Sequence, residues 1–218
     1  ISKLAVDTLL SMPNQRTAIG FRDYMLMLLL YSTAVRINEL LTLKIHNITM
    51  DCSKPHMIVI GKGRKKRPIP LLAKPVQYLK KYLTEYHPNP DNAEALLFNS
   101  KSKGIYTPMS AENVNKMLKR YAKMAHDKCS DVPLDLHAHQ FRHAKASHWL
   151  ENGMNIAQIS YLLGHENIQT TMVYLDITTE QEEKALETLE DENQRIVGKK
   201  WKSAKGKMEL EAFSGLYK

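Results

Sequence analysis

Between Tyr24 and Tyr31 every side chain is large and apolar or aromatic (Tyr-Met-Leu-Met-Leu-Leu-Leu-Tyr). A helix built on such a run has no face to offer water, so other elements must cover it all round. The run is far shorter than the roughly 20 residues a membrane-spanning helix needs. A buried central helix over about 23–30 is therefore predicted, inside a core that a chain of 218 residues is long enough to build as one main domain.

The rest of the pattern is mostly helical. After the break Ser32-Thr33-Ala34, the apolar residues Ile37, Leu40, Leu41 and Ile45 recur at helical spacing and leave Arg36 and Glu39 at the edge of the core. Met57 to Ile60, the turn Gly61-Lys62-Gly63 and the stretch Lys66 to Pro70 read as strand, turn and strand. Helices follow over about 75–86 and 111–124, the latter capped by Ser110. Two more run over about 139–152 and 156–163 and stop at Gly153 and Gly164, residues suited to the left-handed conformation beyond a helix end. An acidic helix over about 180–192 and a basic tail close the chain. The fold class is mainly α with a small antiparallel β-sheet (α+β).

The formal charge of +8 and a pI near 9.3 favour a polyanionic partner: DNA, RNA or an anionic membrane surface. Cys52 and Cys129 lie far apart without metal-ligand spacing, which points away from a disulfide framework or a cysteine zinc site and toward a reducing cytoplasm. No secretory signal pattern opens the sequence.

Chemistry concentrates in the second half, in His139-Gln-Phe-Arg142-His143, Leu163-Gly164-His165 and Thr170-Thr171-Met-Val-Tyr174. Singly, each of these residues has an ordinary structural explanation. In this order, with a Tyr nine residues after Leu-Gly-His, they resemble the signature of the tyrosine recombinases, the phage-integrase family. Thr33-Ala34-Val35-Arg36-Ile37-Asn38-Glu39-Leu40 is similar to that family's first arginine motif, and Gly61-Lys62-Gly63 with Ile69-Pro70 to its lysine hairpin. The likeness covers roughly residues 1–189. Departures are Ala34 where glycine is usual, Gln140-Phe141, and Ala144-Lys145.

The resemblance implies the DNA breaking-rejoining fold of a recombinase catalytic domain over 1–190, with 191–218 a basic tail or protomer-docking segment. It also implies a smaller N-terminal core-binding domain, which residues 1–218 do not include. The implied activity is site-specific cleavage and rejoining of double-stranded DNA through a 3′-phosphotyrosine. Integration or excision of a mobile element is expected over chromosome-dimer resolution. The chain would be monomeric when free and tetrameric on two DNA sites. A cytoplasmic, nucleoid-associated protein of prokaryotic, phage or transposon origin is expected, with no membrane partner, metal, ATP or other cofactor.

The residues fit the chemical demands. A phosphodiester under attack gathers negative charge on its oxygens, and Arg36 and Arg142 carry planar, permanently charged forks that match them. The resemblance makes Tyr174 the nucleophile; a free phenol titrates near 10, so about one in a thousand is ionised at neutral pH and nearby cations matter. The resemblance makes Lys62 the general acid for the leaving 5′ oxygen, His139 the proton acceptor beside Tyr174, and His165 a hydrogen-bond partner of the phosphate. Glu39 and His143 would orient these groups, and Arg64, Lys65 and Arg67 would contact the DNA backbone. Two arginines, a lysine and two histidines neutralise the phosphate without a divalent metal.

Competing readings are a type IB topoisomerase, which shares the chemistry, and an inactive DNA-binding regulator. A zinc site among His137, His139, His143 and His148, with His139 and His143 four apart on a helix, lacks a Cys or nearby carboxylate to complete it and would sit beside Arg142. The basic run from Lys62 to Arg67 also reads as a solvated loop or localisation signal.

Overall fold

Helix α2 (Ala18–Thr33) is the axis of the fold in the computed structural model, which describes residues 1–102, 104–165 and 167–172, without the side chains of residues 62, 101 and 102. Thr17 caps it by accepting from the Gly20 N–H at 3.1 Å. The apolar run is buried throughout Tyr24 to Leu30, as its lack of a polar face demands. Ser32 and Thr33 stay helical, so the expected break falls at Ala34 alone.

Around α2 pack α1 (Lys3–Leu10), α4 (Ala73–Lys81) and α6 (Ala138–Glu151). The helix expected over 75–86 is α4 followed by one wider π turn over Tyr82–Tyr86. Phe21 stacks on Tyr86 with ring centroids 4.5 Å apart, and the Tyr82 hydroxyl donates to the Leu97 carbonyl at 3.1 Å. These aromatic contacts fix that turn against the core. Helix α5 (Ala111–His126) buries Val114, Met117, Leu118 and Tyr121 on one face, and Ser110 caps it as expected, accepting from Asn113 at 3.1 Å.

Strands β1 (Ile48–Thr49), β2 (His56–Ile60) and β3 (Lys66–Pro70) form an antiparallel sheet in that order, with Ile60 opposite Lys66. A 3-10 turn over Lys62–Arg64 joins β2 to β3, with Gly63 at φ 70°. A separate hairpin pairs β4 (Asn99–Ser102) with β5 (Ile105–Pro108). Helices α3 (Ile37–Leu41) and α7 (Ile156–Leu163) flank the functional region. Ala34 packs with Ala146, Ile159 and Leu163 in a small second cluster that locks α6 and α7 to the end of α2. Among the described residues no helix is long and apolar enough to cross a membrane. The acidic helix, the basic tail and the boundary expected near residue 190 lie outside the described residues.

Candidate active site

Three chain reversals bring the site together, and the first is the corner after α2. Ala34 adopts the left-handed conformation (φ 52°, ψ 25°), and its N–H donates to the Leu30 carbonyl at 3.1 Å. For a residue with a Cβ this backbone costs about 1 kcal/mol, which explains why glycine is the easier choice there. Arg36 then starts α3 in extended backbone and turns its side chain outward, 43% exposed. Glu39 accepts from the Arg36 main-chain N–H at 2.9 Å and from its Nη1 at 3.2 Å, so one carboxylate both caps the helix and holds the guanidinium.

The second reversal is the β2–β3 turn. Arg67 on β3 donates a parallel fork to Glu39, Nη1 to Oε1 at 2.9 Å and Nη2 to Oε2 at 2.8 Å. Its side chain is only 12% exposed, a departure from the expectation of a solvent-facing phosphate contact: its guanidinium is paired inside the protein. Arg64 and Lys65 are exposed on the turn. Lys62 begins that turn, and its side chain lies outside the described residues.

The third reversal ends α7 at Gly164 (φ 62°). A Cβ there would come within 2.7–2.9 Å of the Arg67 guanidinium and displace it, and the left-handed backbone itself favours glycine. The Gly164 carbonyl accepts from Arg36 Nη2 at 3.3 Å. Arg142, on α6 and 3% exposed, donates to the Ala34 carbonyl at 2.7 Å and the Leu163 carbonyl at 2.6 Å. Both acceptors end helices, where the dipole favours a cation. One buried arginine thus joins the ends of α2 and α7.

Arg36, Glu39, Gly61, His139 and Arg142 line one cleft of about 610 Å³. His139 and His143, a turn apart on α6, meet edge to face with ring centroids 4.3 Å apart. Desolvation, then the charges of His143 and Arg142, lower the pKa of His139. The pKa of His165 falls to about 4, through burial first and then through Arg142 and Arg36. Its Nδ1 lies 2.8 Å from the hydroxyl of Thr171, a buried residue to which the sequence reading gave no role. Burial works against the Glu39 carboxylate, yet hydrogen bonds from Arg67 and the Arg36 main chain outweigh it and hold its pKa down.

The structure therefore brings together Arg36, Glu39, His139, Arg142 and His165, with His143 beside them. Arg36 and Arg67 hold the buried Glu39 carboxylate, Arg142 lines the same cleft, and the histidines are neutral near pH 7, so the surplus charge is positive and permanent. Such a cleft presents planar, fixed donors of the kind an oxyanion needs. Among the described residues no three His, Cys, Asp or Glu side chains gather as a metal-ligand set. Tyr174 lies outside the described residues. Nothing in the local sequence distinguishes Arg67 from its exposed basic neighbours, because its partner Glu39 is remote in the chain.

Residues 1–181 match the model of the phage integrase family. Tyrosine recombinase XerC of Chlamydia caviae is 31% identical over 177 residues, covering 79% of this chain and 53% of that protein. The chain spans about half the length of the curated relatives it matches. The XerH site-specific recombinase bound to palindromic difH substrate, a post-cleavage complex, has a TM-score of 0.68 at 23% identity, over 87% of this chain and 53% of that one. The Tn1549 transposon integrase in complex with circular intermediate DNA has a TM-score of 0.62 at 22% identity, over 80% of this chain and 61% of that one. The helical fold with small antiparallel sheets is thus that of tyrosine recombinase catalytic domains. With a match across residues 1–181, the chain belongs to the phage integrase family.

Proposed function

We propose that this chain is the catalytic domain of a site-specific DNA recombinase that cuts and rejoins DNA strands through a covalent bond to Tyr174. The observation that carries the reading is the cleft in which Arg36 and Arg142 converge with His139 and beside His165, with Glu39 as its buried counter-charge. In this reading the two guanidinium groups hold the non-bridging oxygens of one phosphodiester and stabilise the charge that builds on them.

The Tyr174 phenol oxygen attacks the phosphorus and the bond to the 5′ oxygen breaks. His139, whose pKa is lowered and which is neutral, accepts the phenol proton. Lys62, carried on the turn between β2 and β3, gives a proton to the departing 5′ oxygen. The phosphate ester moves to tyrosine without hydrolysis, so a second strand's 5′ hydroxyl can reverse the step without ATP. His165 donates to a phosphate oxygen, Glu39 and His143 keep their neighbours oriented, and Arg64 and Lys65 meet the DNA backbone. The fixed positive charge makes a divalent metal unnecessary. The proposed partners are double-stranded DNA and three further copies on two DNA sites. Integration or excision of a mobile element, by a cytoplasmic protein working at the nucleoid, is the proposed context.

The test is a nicked suicide DNA substrate that loses its 5′ fragment on cleavage, incubated with excess chelator and resolved on a denaturing gel. The wild-type protein is expected to give a covalent, slower-migrating DNA band, and Tyr174→Phe none. A band that persists in Tyr174→Phe, or one that disappears with chelator, would contradict the proposal.

A further inference from the structure

Thr171 is fully buried. The hydroxyls of Thr8, Thr33 and Thr42 each donate to a carbonyl four residues earlier, and that of Thr170 to the Asn167 carbonyl. Back-bonding of this kind is the ordinary habit of a helical threonine. Thr171 departs from it: its Oγ1 lies 2.8 Å from Nδ1 of His165.

A hydroxyl carries one donor proton, and when buried that proton needs an acceptor. A neutral imidazole carries its single proton on one nitrogen, and the partner of the other nitrogen decides which. Were the proton on Nδ1, it would donate to Oγ1 and leave the buried Thr171 hydroxyl proton without an acceptor among the described residues. With the proton on Nε2, the hydroxyl donates to Nδ1 and both groups are satisfied. His165 is neutral near pH 7 in the field of Arg142 and Arg36, so the choice between tautomers is the one that matters.

We infer that Thr171 is a positioning residue, whose hydroxyl donates to Nδ1 of His165 and holds the ring in the tautomer with its proton on Nε2, turned into a donor for a phosphate oxygen. The assignment rests on the reading of the cleft as a phosphodiester site. Thr171 also precedes Tyr174 by three positions in sequence, so the same hydrogen bond ties the chain leading to the nucleophile to His165.

Two substitutions in the full 218-residue chain separate hydroxyl from shape. Thr171→Val keeps the volume and removes the hydroxyl; Thr171→Ser keeps the hydroxyl. In nitrogen-15 spectra of histidine-labelled protein, assigned with His165→Gln, the wild type is expected to show an unprotonated Nδ1 and a protonated Nε2. Thr171→Val should give a mixture of tautomers and slow single-turnover DNA cleavage about 10- to 100-fold, with Kd for DNA unchanged. Thr171→Ser should restore both the spectrum and the rate. A protonated Nδ1 in the wild type would overturn the inference, as would a Thr171→Val spectrum like the wild type or a failure of serine to rescue. If the hydroxyl-dependent spectrum is found but no protein forms a Tyr174 adduct, the tautomer assignment stands and the recombinase reading falls.

Discussion

Asp23 and Glu39 are both buried carboxylates held by arginines, yet they do different work. Asp23, inside α2, accepts from Arg22 Nη2 at 2.6 Å, Arg120 Nη2 at 3.3 Å and the Tyr121 hydroxyl at 3.0 Å. Arg22 also donates to the Asn99 carbonyl at 2.9 Å, so the cluster braces α2 against α5 and the start of β4. Glu39 is held by Arg67 and Arg36 just as closely. Each group has more cations than anions, so surplus positive charge alone does not mark a reaction site. Around Glu39 there are also Arg142, neutral imidazoles and two left-handed corners that bring separate chain segments to one cleft. Convergence of different donors, more than charge, separates the candidate site from the brace.

Substitutions should split the two regions cleanly, and the largest effect is expected at the brace. Asp23→Ala strands Arg22 and Tyr121 and should lower unfolding free energy by about 3 kcal/mol, measured by urea denaturation, while folded protein still cleaves DNA. Arg36→Lys and Arg142→Lys keep the charge but lose the planar fork; single-turnover cleavage should fall roughly 100- to 1,000-fold for each. Arg120→Lys, in the brace, should leave the cleavage rate at the wild-type level; an equal loss there would erase the distinction between the regions. Glu39→Gln frees Arg36 and Arg67 from their carboxylate and should slow cleavage by about tenfold, less than losing either clamp arginine.

A different readout is the pH dependence of stability. His165 titrates at about 4 in the folded chain and near 6.5 when unfolded, so the unfolded state takes up the proton first as pH falls. Stability should therefore decline from about pH 6.5 toward 4, with part of the slope removed in His165→Gln. Glu39, with its pKa lowered, adds its loss only below its unfolded value of 4.5. The window between 4.5 and 6.5 thus reports the histidines, and a flat wild-type profile there would contradict the lowered His165 pKa.

The local parts of this architecture were legible in the sequence. An apolar run with no polar face dictated a buried α2, Ser110 announced the start of α5, and Gly153 and Gly164 marked helix ends. Motif order picked out Arg36, Glu39, His139 and Arg142, which folding brings to one cleft. The brief helix α1 was missed because its run before Ser11 is too short for periodicity to stand out. The β4–β5 hairpin was missed because β5 is exposed along its length and shows no alternation. The buried ion pair of Arg67 was missed because it depends on Glu39, which folding alone brings near. The same holds for Arg142, whose two carbonyl partners end different helices. Long-range pairing has no local signature.

The most direct test is a crystal structure of the protein on a DNA duplex containing its cleavage site. The account predicts one backbone phosphate within hydrogen-bond reach, roughly 3 Å, of guanidinium nitrogens from both Arg36 and Arg142 and of Nε2 of His165, with the Tyr174 oxygen facing the phosphorus. A phosphate held by Arg22 and Arg120 beside Asp23, with the Glu39 cleft empty of DNA, would contradict it.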